Sequence, residues 1–398
     1  MTGCLPSRRW RDDRRFRSDD ETLSRGHAVV RIVYFTHSLQ SCWNHGNAHF
    51  LRGITRALLT SGHDVAVFEP AESWSRTNLM LESDVAAAST FSTSFPDLSI
   101  RSRFLDNDLG AMLEGADVVI VHEWNEPDLV AAIGAWRKGV GKFCLLFHDT
   151  HHRMVSEPNA MAHFDLSGYD GVLAFGETLS AAYRVQGWGD RVFTWHEAAD
   201  TTHFRPPSIQ TERKGAVWIG NWGDGERGQE LQNYALDPIS RLGLPLDVYG
   251  VRYPSAALAA LSASGAQYHG WVANAHTPAV YARHVLTIHV PRRFYVTHLP
   301  GIPTIRVFEA LACGIPLVSA PWHDVEGLFS PGADFLLADT PSQMEAHLRA
   351  VMHDAALRGS LAAHGLETIR TRHSCNLRAE QLLTIIAQLQ DADPEEAV

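Results

Sequence analysis

Two successive series of apolar strands and helices constrain the fold of this chain more than any other feature. The first series starts near residue 29 and includes the strands "VVRIVYF", "ADVVIVHE" and "KFCLLFHD"; the second runs from "AVWIGNW" to "DFLLAD". Strands that alternate with helices predict parallel sheets. The segment 201–215, "TTHFRPPSIQTERKG", carries two prolines and no periodicity, so it separates the series. The sequence therefore predicts an α/β protein with two Rossmann-like, parallel-sheet domains facing each other across a cleft.

These patterns divide the chain into four predicted parts. Residues 1–28 mix both charge signs without apolar periodicity, which predicts a disordered extension or an upstream start codon wrongly chosen. Residues 29–205 are predicted to form the N-terminal domain, and residues 206–372 the C-terminal domain. Residues 373–398 are predicted to form a C-terminal helix and an acidic tail.

Composition excludes several classes of protein. The net charge of −11 provides no basic excess to neutralise phosphates, so we expect no nucleic-acid partner. No apolar run approaches the eighteen or so residues of a membrane span, so we expect no transmembrane segment. The five cysteines are scattered and lack C-x-x-C spacing, which favours a reduced, cytoplasmic location.

The segment Leu299–Trp322, "LPGIPTIRVFEALACGIPLVSAPW", predicts a loop, a short helix and a buried parallel strand. Pro303 suits a first helical turn, and Gly314 suits a left-handed helix end. In open α/β sheets, the loop that leads from a strand into the next helix lines the ligand crevice, and the free N–H groups of that helix attract an anion. The entrance to this helix is thus predicted to bind phosphate, and the Glu309 carboxylate to accept hydrogen bonds from an adjacent diol such as a ribose.

The block "FEALACGIPLV" and its flanks, together with "RIVYFTHSLQ", "FHDTHH" and "WHEAADTTHFRPP", resemble GT-B fold glycosyltransferases. The likeness is to the CgeB-like (spore-maturation-like) group, which is similar to the retaining family 4 enzymes, and it spans roughly residues 30–385. It implies a nucleotide-sugar donor held mostly by the second domain and an acceptor held by the first.

The resemblance also implies roles for individual residues. Glu309 matches the Glu that binds the donor ribose, whereas Gly301 stands where family 4 has a second Glu near the sugar. Arg227 matches the pyrophosphate Arg, but no Lys stands beside it, so another Arg is expected to supply the second cation. The full expected donor-binding set is Glu309, Arg227, Arg292, Arg293, Thr304, Ile305, Arg306, Gly301 and Asn221. For Arg306 the alternative is a structural i,i+3 pair with Glu309.

Two further segments are candidates for chemistry. "FHDTHH" contains His148 and Asp149, which we expect to be catalytic; the alternatives are a metal site, which nothing else in the sequence completes, and a structural turn. Glu123 is another possible base. "NHGNAH" joins a strand to a helix through Gly46 and Asn47, whose backbone N–H groups are expected to face the donor phosphates or the reacting centre; the alternative is a tight turn without a ligand.

Trp residues add a weaker signal. Trp43, Trp124, Trp222 and Trp271 fall at predicted strand ends, where sugars can stack on them, although packing is the commoner role of each.

The expected function is that of a glycosyltransferase, hexosyltransferase-like and metal-independent, that moves a sugar from a nucleotide-diphosphate sugar such as a UDP-sugar. No cofactor is expected beyond that donor substrate, and the acceptor is an unknown sugar, lipid, small molecule or protein. One alternative is a nucleotide-sugar-binding protein without turnover, suggested by Gly301. The other is a GT-B nucleotide-sugar epimerase.

Overall fold

The computed structural model describes residues 29–82, 85–209, 212–223 and 225–392. The predicted disordered extension at 1–28 and most of the predicted acidic tail lie outside these residues. Two parallel sheets organise the chain, and each is built from one of the two series of strands. The prediction of an α/β fold with two parallel sheets is confirmed.

The first sheet has seven strands in the order β3-β2-β1-β4-β5-β6-β7, and every neighbouring pair is parallel. The strands are β1 Arg31–Phe35, β2 Asp64–Glu69, β3 Ser102–Phe104, β4 Val118–His122, β5 Cys144–Asp149, β6 Gly171–Ala174 and β7 Val192–Thr194. All residues of β4, β5 and β6 are buried, as expected for parallel strands covered on both faces. This sheet and its helices are called the first unit.

The second sheet has six parallel strands in the order β10-β9-β8-β11-β12-β13. They are β8 Ala216–Ile219, β9 Leu246–Tyr249, β10 Gln267–Tyr268, β11 Leu286–His289, β12 Leu317–Ser319 and β13 Leu336–Leu337. This sheet and its helices are called the second unit. No hydrogen-bonded strand pair joins the two sheets among the described residues. The predicted linker, residues 201–215, lies between β7 of the first sheet and β8 of the second, although the exact domain boundaries stay a prediction.

Eighteen α-helical segments connect and cover the strands in the described part of the chain. They are α1 Ala48–Thr60, α2 Trp74–Glu82, α3 Val85–Ser94, α4 Pro96–Ser99, α5 Leu109–Leu113, α6 Pro127–Gly139, α7 Arg153–Ser156, α8 Pro158–Met161, α9 Glu177–Tyr183, α10 Gly228–Leu231, α11 Asp237–Leu242, α12 Ser255–Ser264, α13 Thr277–Tyr281, α14 Arg293–Thr297, α15 Ile305–Ala312, α16 Pro341–His353, α17 Ala355–Arg372 and α18 Cys375–Ala392. No helix in this part of the chain is long and apolar enough to cross a membrane.

Helix α15 follows the sequence prediction with one difference. Gly314 has φ +62°, so it provides the left-handed residue just after the helix. The predicted position of Pro303 in the first helical turn is wrong, because the helix begins two residues later, at Ile305, with Thr304 as its N-cap. The Thr304 side chain makes no capping bond; its Oγ1 lies 2.9 Å from His289 Nε2 at the end of β11.

The hydrophobic core continues from one unit into the other. One cluster contains Ile32 of the first sheet, Val217 of the second and Phe308 of α15, and two further clusters fill the opposite faces of the two sheets. The C-terminal helix α18 returns to the first unit, where Trp195 Nε1 donates to Arg378 O at 3.0 Å. The predicted C-terminal helix thus fastens the end of the chain to its first half.

Candidate functional site

A cavity lies between the two sheets, at the carboxyl ends of their strands. It is lined from the first unit by loops that follow β1, β4, β5, β6 and β7, and from the second unit by loops that follow β8, β9 and β11. Because all these strands are parallel, their carboxyl ends share one edge of each sheet. This edge is where open α/β sheets bind ligands.

Most of the predicted site residues line this cavity. Eight of the thirteen do so: Gly46, Asn47, Asn221, Arg227, Arg292, Thr304, Ile305 and Arg306. The remaining five, His148, Asp149, Arg293, Gly301 and Glu309, are not among the lining residues.

Arg227 lies at the start of α10 and is held by the backbone around it. Its Nη1 donates to Val290 O at 3.1 Å and its Nη2 to Asn221 O at 2.8 Å, whereas its Nε has no partner in the described chain. Burial, together with the charge of Arg292, lowers the pKa of the guanidinium to about 9. A buried guanidinium with an unused donor beside a cavity is suited to binding an anion.

Asn221 connects the two units. Its Nδ2 donates to Asn44 Oδ1 of the first unit, and its Oδ1 accepts from Arg227. Asn44 has φ +45°, a left-handed conformation that Asn tolerates better than most residues. This chain of hydrogen bonds fixes Arg227 relative to the first unit, so it helps to hold the two walls of the cavity in a fixed relative position.

The side chains of two adjacent arginines differ in location: one lines the cavity and the other does not. Arg292 lines the cavity, and its Nη1 donates to Glu226 Oε2 at 3.1 Å. Arg293, the first residue of α14, instead pairs with Glu230, and about half of its side chain is exposed. Arg293 therefore does not line the cavity, in contrast to its neighbour, and its expected role at the donor site stays a prediction.

Arg306 reaches the cavity, but Glu309 does not. The Glu309 carboxylate is completely buried, where it accepts from Arg306 Nη1 and, at 2.6 Å, from Asn274 Nδ2. His49 Nδ1 of the first unit lies 3.3 Å from Oε1 of the same carboxylate. The i,i+3 pair is therefore present, yet its acidic partner lies in the interior. The expected placement of Glu309 against a ligand diol does not fit this arrangement, because protein groups surround its oxygens.

The entrance to α15 comes close to the first unit. A Cβ built on Gly46 would lie 3.0 Å from Ile305 Cγ2, so glycine allows the two chains to approach at this point. Thr304 and Ile305 line the cavity, as expected, and so does His289. Sequence patterns gave no reason to select His289, since it ends an apolar strand.

His148 and Asp149 lie behind the cavity wall. Both are completely buried at the end of β5: His148 Nδ1 contacts the Tyr34 hydroxyl, and Asp149 Oδ2 accepts from Tyr183 OH at 2.8 Å. Burial lowers the pKa of His148 to about 3 and raises that of Asp149 to about 6. Neither residue lines the cavity, because both lie within β5, and the chain reaches the cavity only after the strand ends, at Thr150.

The residues that follow, Thr150 and His151, occupy the wall instead. Within the described residues, no group of three or more His, Cys, Asp or Glu is arranged to hold a metal ion. Any catalytic contribution of His148 and Asp149 stays a prediction.

The absence of a side chain at Gly301 has a structural cause. Gly301 has φ +90°, and a Cβ there would lie 2.8 Å from Val325 Cγ2 and 3.0 Å from Glu326 Cγ. The backbone and the packing both require glycine. This position cannot supply a carboxylate to the cavity without local rearrangement.

Glu197 is a cavity residue that sequence reasoning missed. It follows β7, it is 6% exposed, and its Oε1 accepts from Asn47 Nδ2 at 2.6 Å. Burial raises the pKa of its carboxyl group to about 8; the Asn47 hydrogen bond opposes that shift, and the charge of Glu309 adds to it. Glu197 therefore holds a proton at neutral pH. It lies in the block "WHEAADTTHFRPP" that carries the family resemblance, but neither periodicity nor the resemblance singled it out.

Four aromatic side chains form a row on the first-unit wall. His37 lies between Trp74 and Trp124, with ring centroids 6.5 Å and 6.0 Å away, and the His151 ring lies 5.2 Å from that of Trp124. All four line the cavity. They are called the aromatic row below. Of the other tryptophans selected from the sequence, Trp271 also lines the cavity, whereas Trp43 is 2% exposed and Trp222 packs on Tyr253.

The chain is similar to one family of known sequences and to several solved structures. Residues 229–384, most of the second unit, match the sequence model of a family described as Glycosyl transferase-like. The matched segment contains the entrance to α15 and four of the eight predicted residues that line the cavity, Arg292, Thr304, Ile305 and Arg306. No curated protein matches the sequence.

Solved glycosyltransferase structures share the fold at low sequence identity. An α-glucosyltransferase in complex with UDP and a 13-mer DNA is 12% identical, with a TM-score of 0.65 over 90% of this chain and 100% of that one. Sucrose-phosphate synthase from Thermosynechococcus elongatus is 13% identical, with a TM-score of 0.61 over 92% and 100%. HepE from Anabaena, in complex with UDP and glucose, is 13% identical, with a TM-score of 0.61 over 90% and 100%. The fold of this chain is GT-B.

Proposed function

We propose that this chain transfers a glycosyl group from a nucleotide-diphosphate sugar, a UDP-sugar first of all, to an acceptor bound by the first unit. The observation that carries the proposal is the convergence of Arg227, Arg292 and Arg306 on one interdomain cavity, next to the N-terminus of α15. The glycosyltransferase-like domain and the UDP-bound neighbours support it.

The charge of the reaction explains this arrangement. As the bond between the sugar and the diphosphate breaks, negative charge develops on the leaving phosphate and positive charge on the sugar. Guanidinium groups bind phosphate oxygens with paired hydrogen bonds, and the free N–H groups at the start of a helix add partial positive charge. Three arginines can supply this charge themselves, so we propose that the donor is held without a metal ion.

The donor is proposed to lie against the second unit. Arg227 and Arg292 follow β8 and β11, and Arg306 lies in the first turn of α15. Gly46 and Asn47 face them from the first unit, near Ile305 and Glu197. In this arrangement the diphosphate lies among the arginines, and the transferred sugar is next to Glu197, whose carboxyl group can donate a hydrogen bond to it at neutral pH.

A second candidate is a nucleotide-sugar-binding protein without turnover. The observation that favours it is Gly301, which supplies no carboxylate where the related enzymes have one. Both candidates predict binding of a nucleotide diphosphate; only the first predicts release of UDP from a UDP-sugar when an acceptor is present.

Neighbouring arginines provide a matched test. Calorimetric titration with UDP, GDP, ADP and dTDP identifies the nucleotide, and Arg292→Gln is then compared with Arg293→Gln. We expect Arg292→Gln to weaken binding by about 10-fold to 100-fold, since hydrogen bonds to charged groups contribute about 1.5–3 kcal/mol. Arg293→Gln should bind as the wild type does. Failure of all four nucleotides to bind, or equal losses in the two variants, would overturn the donor site.

A further inference from the structure

We propose that the aromatic row of His37, Trp74, Trp124 and His151 is the acceptor site, and that the acceptor group it binds is an uncharged sugar ring. This inference rests on the proposed glycosyl transfer and adds the chemical class of the acceptor. Three observations support it: the exposure of the two indoles, the contacts that hold them in place and the charge of this wall.

The two indoles of the row are open to the cavity. Trp74 is 45% exposed and Trp124 is 37% exposed, although both line the interdomain cavity rather than the outer surface. Burial of a large aromatic side chain away from water is favourable, so an exposed indole does not gain that free energy until a ligand covers it. The two exposed indoles, with ring centroids 6.5 Å and 6.0 Å from that of His37, therefore form an apolar surface that a flat, partly apolar ligand can cover.

A buried network holds Trp74 in place. Ser75, which is completely buried, donates from its backbone N to His37 Nε2 at 3.3 Å and from its Oγ to Trp43 O at 2.7 Å. Its Oγ also lies 2.8 Å from Ser41 Oγ. The Trp43 ring packs edge-on against Trp74, with centroids 5.0 Å apart. The start of α2 is thus tied to His37, and the open indole is fixed rather than free to fold away.

Trp124 is supported from the side. The Arg153 guanidinium stacks on its ring at 4.6 Å, and Arg153 is itself paired with the buried Glu123 at 3.0 Å. His151 contacts the same indole edge-on. Fixed indoles of this kind stack on the C–H faces of sugar rings, while imidazole nitrogens nearby exchange hydrogen bonds with the hydroxyl groups.

The first-unit wall is uncharged at neutral pH. Among the described residues of this unit that line the cavity, Glu197 is the only Asp, Glu, Lys or Arg, and it keeps its proton. Burial lowers the pKa of His37 to about 4 and holds the pKa values of His45 and His151 well below their usual range. Two cations lie against the row: Arg153, already paired with Glu123, over Trp124, and Arg252 of the second unit, 5.8 Å from the Trp74 ring centroid. A phosphate or carboxylate would lose its hydration on a wall whose own lining residues offer it no charged partner.

Two imidazole nitrogens of this wall, His45 Nε2 and His151 Nδ1, are buried and have no hydrogen-bond partner within the described chain. Both residues line the cavity, and the proposal assigns a ligand hydroxyl to these nitrogens as their partner. Cations are concentrated on the opposite wall, where Arg227, Arg292 and Arg306 are assigned to the donor. The two walls therefore differ in chemistry: cationic for the diphosphate, aromatic and neutral for the acceptor.

Direct binding measurements test this without requiring turnover. Saturation-transfer NMR on the full chain with UDP would use a panel of neutral mono- and disaccharides, with glucose 6-phosphate, glucuronic acid and a DNA oligonucleotide as charged counterparts. We expect contacts from the ring protons of at least one neutral sugar and none from the charged ligands. Charged ligands that bind as well as neutral ones, or a panel in which no neutral sugar binds, would overturn the inference.

Matched tryptophan variants locate the site. Trp74→Ala and Trp124→Ala should each weaken sugar binding by about tenfold and leave the Kd for UDP within a factor of about two. Trp136→Ala is the control, because Trp136 is also 37% exposed but lies on α6, away from the cavity. Equal sugar binding by all three variants would overturn the acceptor site while leaving donor binding intact. If the wild type does not bind UDP, that result would instead count against the proposed function.

Discussion

Asn47 Nδ2 donates to Glu197 Oε1 at 2.6 Å, across 150 residues of sequence. Asn47 precedes α1, and Glu197 follows β7, the last strand of the first sheet. The bond fixes a protonated carboxyl group at the edge of the cavity. It makes Glu197 the acidic residue of the first unit that lies nearest to the proposed chemistry.

Glu197→Gln should change how stability depends on pH. The pKa of Glu197 is about 8 in the folded chain and 4.5 for an ordinary Glu, so the unfolded state releases its proton first. The stabilising contribution of the protonated form is complete below about pH 4.5 and is lost as the pH rises to about 8.

Glutamine does not titrate, so the stability of the variant relative to the wild type should rise by up to about 1.4 kcal/mol per pH unit in that window. Urea unfolding of both proteins at pH 5, 6, 7 and 8 measures the difference. A difference that stays constant over the series would show that Glu197 titrates normally.

Glu309→Gln should reduce stability. The buried carboxylate accepts from Arg306 and Asn274, and Gln would place a neutral amide against a guanidinium. Removing one charge from a buried pair leaves the other without compensation, so we expect a loss of about 2–4 kcal/mol in the free energy of unfolding.

Glu345→Gln, whose partners Arg241 and Arg349 are exposed, is the control and should cost less than about 1 kcal/mol. Titration of the same variants with UDP tests the expectation that Glu309 binds the ribose. Unchanged stability with weaker UDP binding would favour that role over the structural one.

Gly301→Glu should not restore a donor-sugar contact. Its φ of +90° and the position of Val325 Cγ2, 2.8 Å from any Cβ, make every side chain strained at this position. We expect a lower melting temperature and no gain in sugar transfer. Gly139→Glu is a suitable comparison, because a Cβ there meets no atom within 4 Å. Higher activity in Gly301→Glu would mean that the loop rearranges to use the carboxylate.

Chelation of divalent metals should leave activity unchanged. Three arginines line the cavity and can neutralise the diphosphate without a divalent ion. Transfer or hydrolysis of the identified UDP-sugar is measured with EDTA and again after addition of Mg²⁺ or Mn²⁺. A large loss with EDTA that either ion reverses would contradict the metal-independent donor site.

Much of the architecture was predictable because local patterns of apolar and polar residues determine the strands and helices. Apolar runs bounded by Gly, Pro and polar residues predicted β1, β4, β5 and β8. The helices α2 to α4 carry little amphipathic pattern and are harder to predict. Trp74 joins the aromatic row only because the fold places the start of α2 beside His37.

The sequence alone determined the two parallel sheets and the break between them, because strand and helix periodicity is a local property of the chain. It also indicated the edge proposed to bind a ligand, since open α/β sheets bind ligands at the carboxyl ends of their parallel strands. The tertiary structure decided which side chains reach that edge. Arg292 faces the cavity and Arg293 does not, and Glu309 points inward to Asn274. Glu197 reaches the cavity only because the fold brings it to Asn47. Such placements depend on contacts between residues that are distant in sequence, and no periodicity along the chain records them.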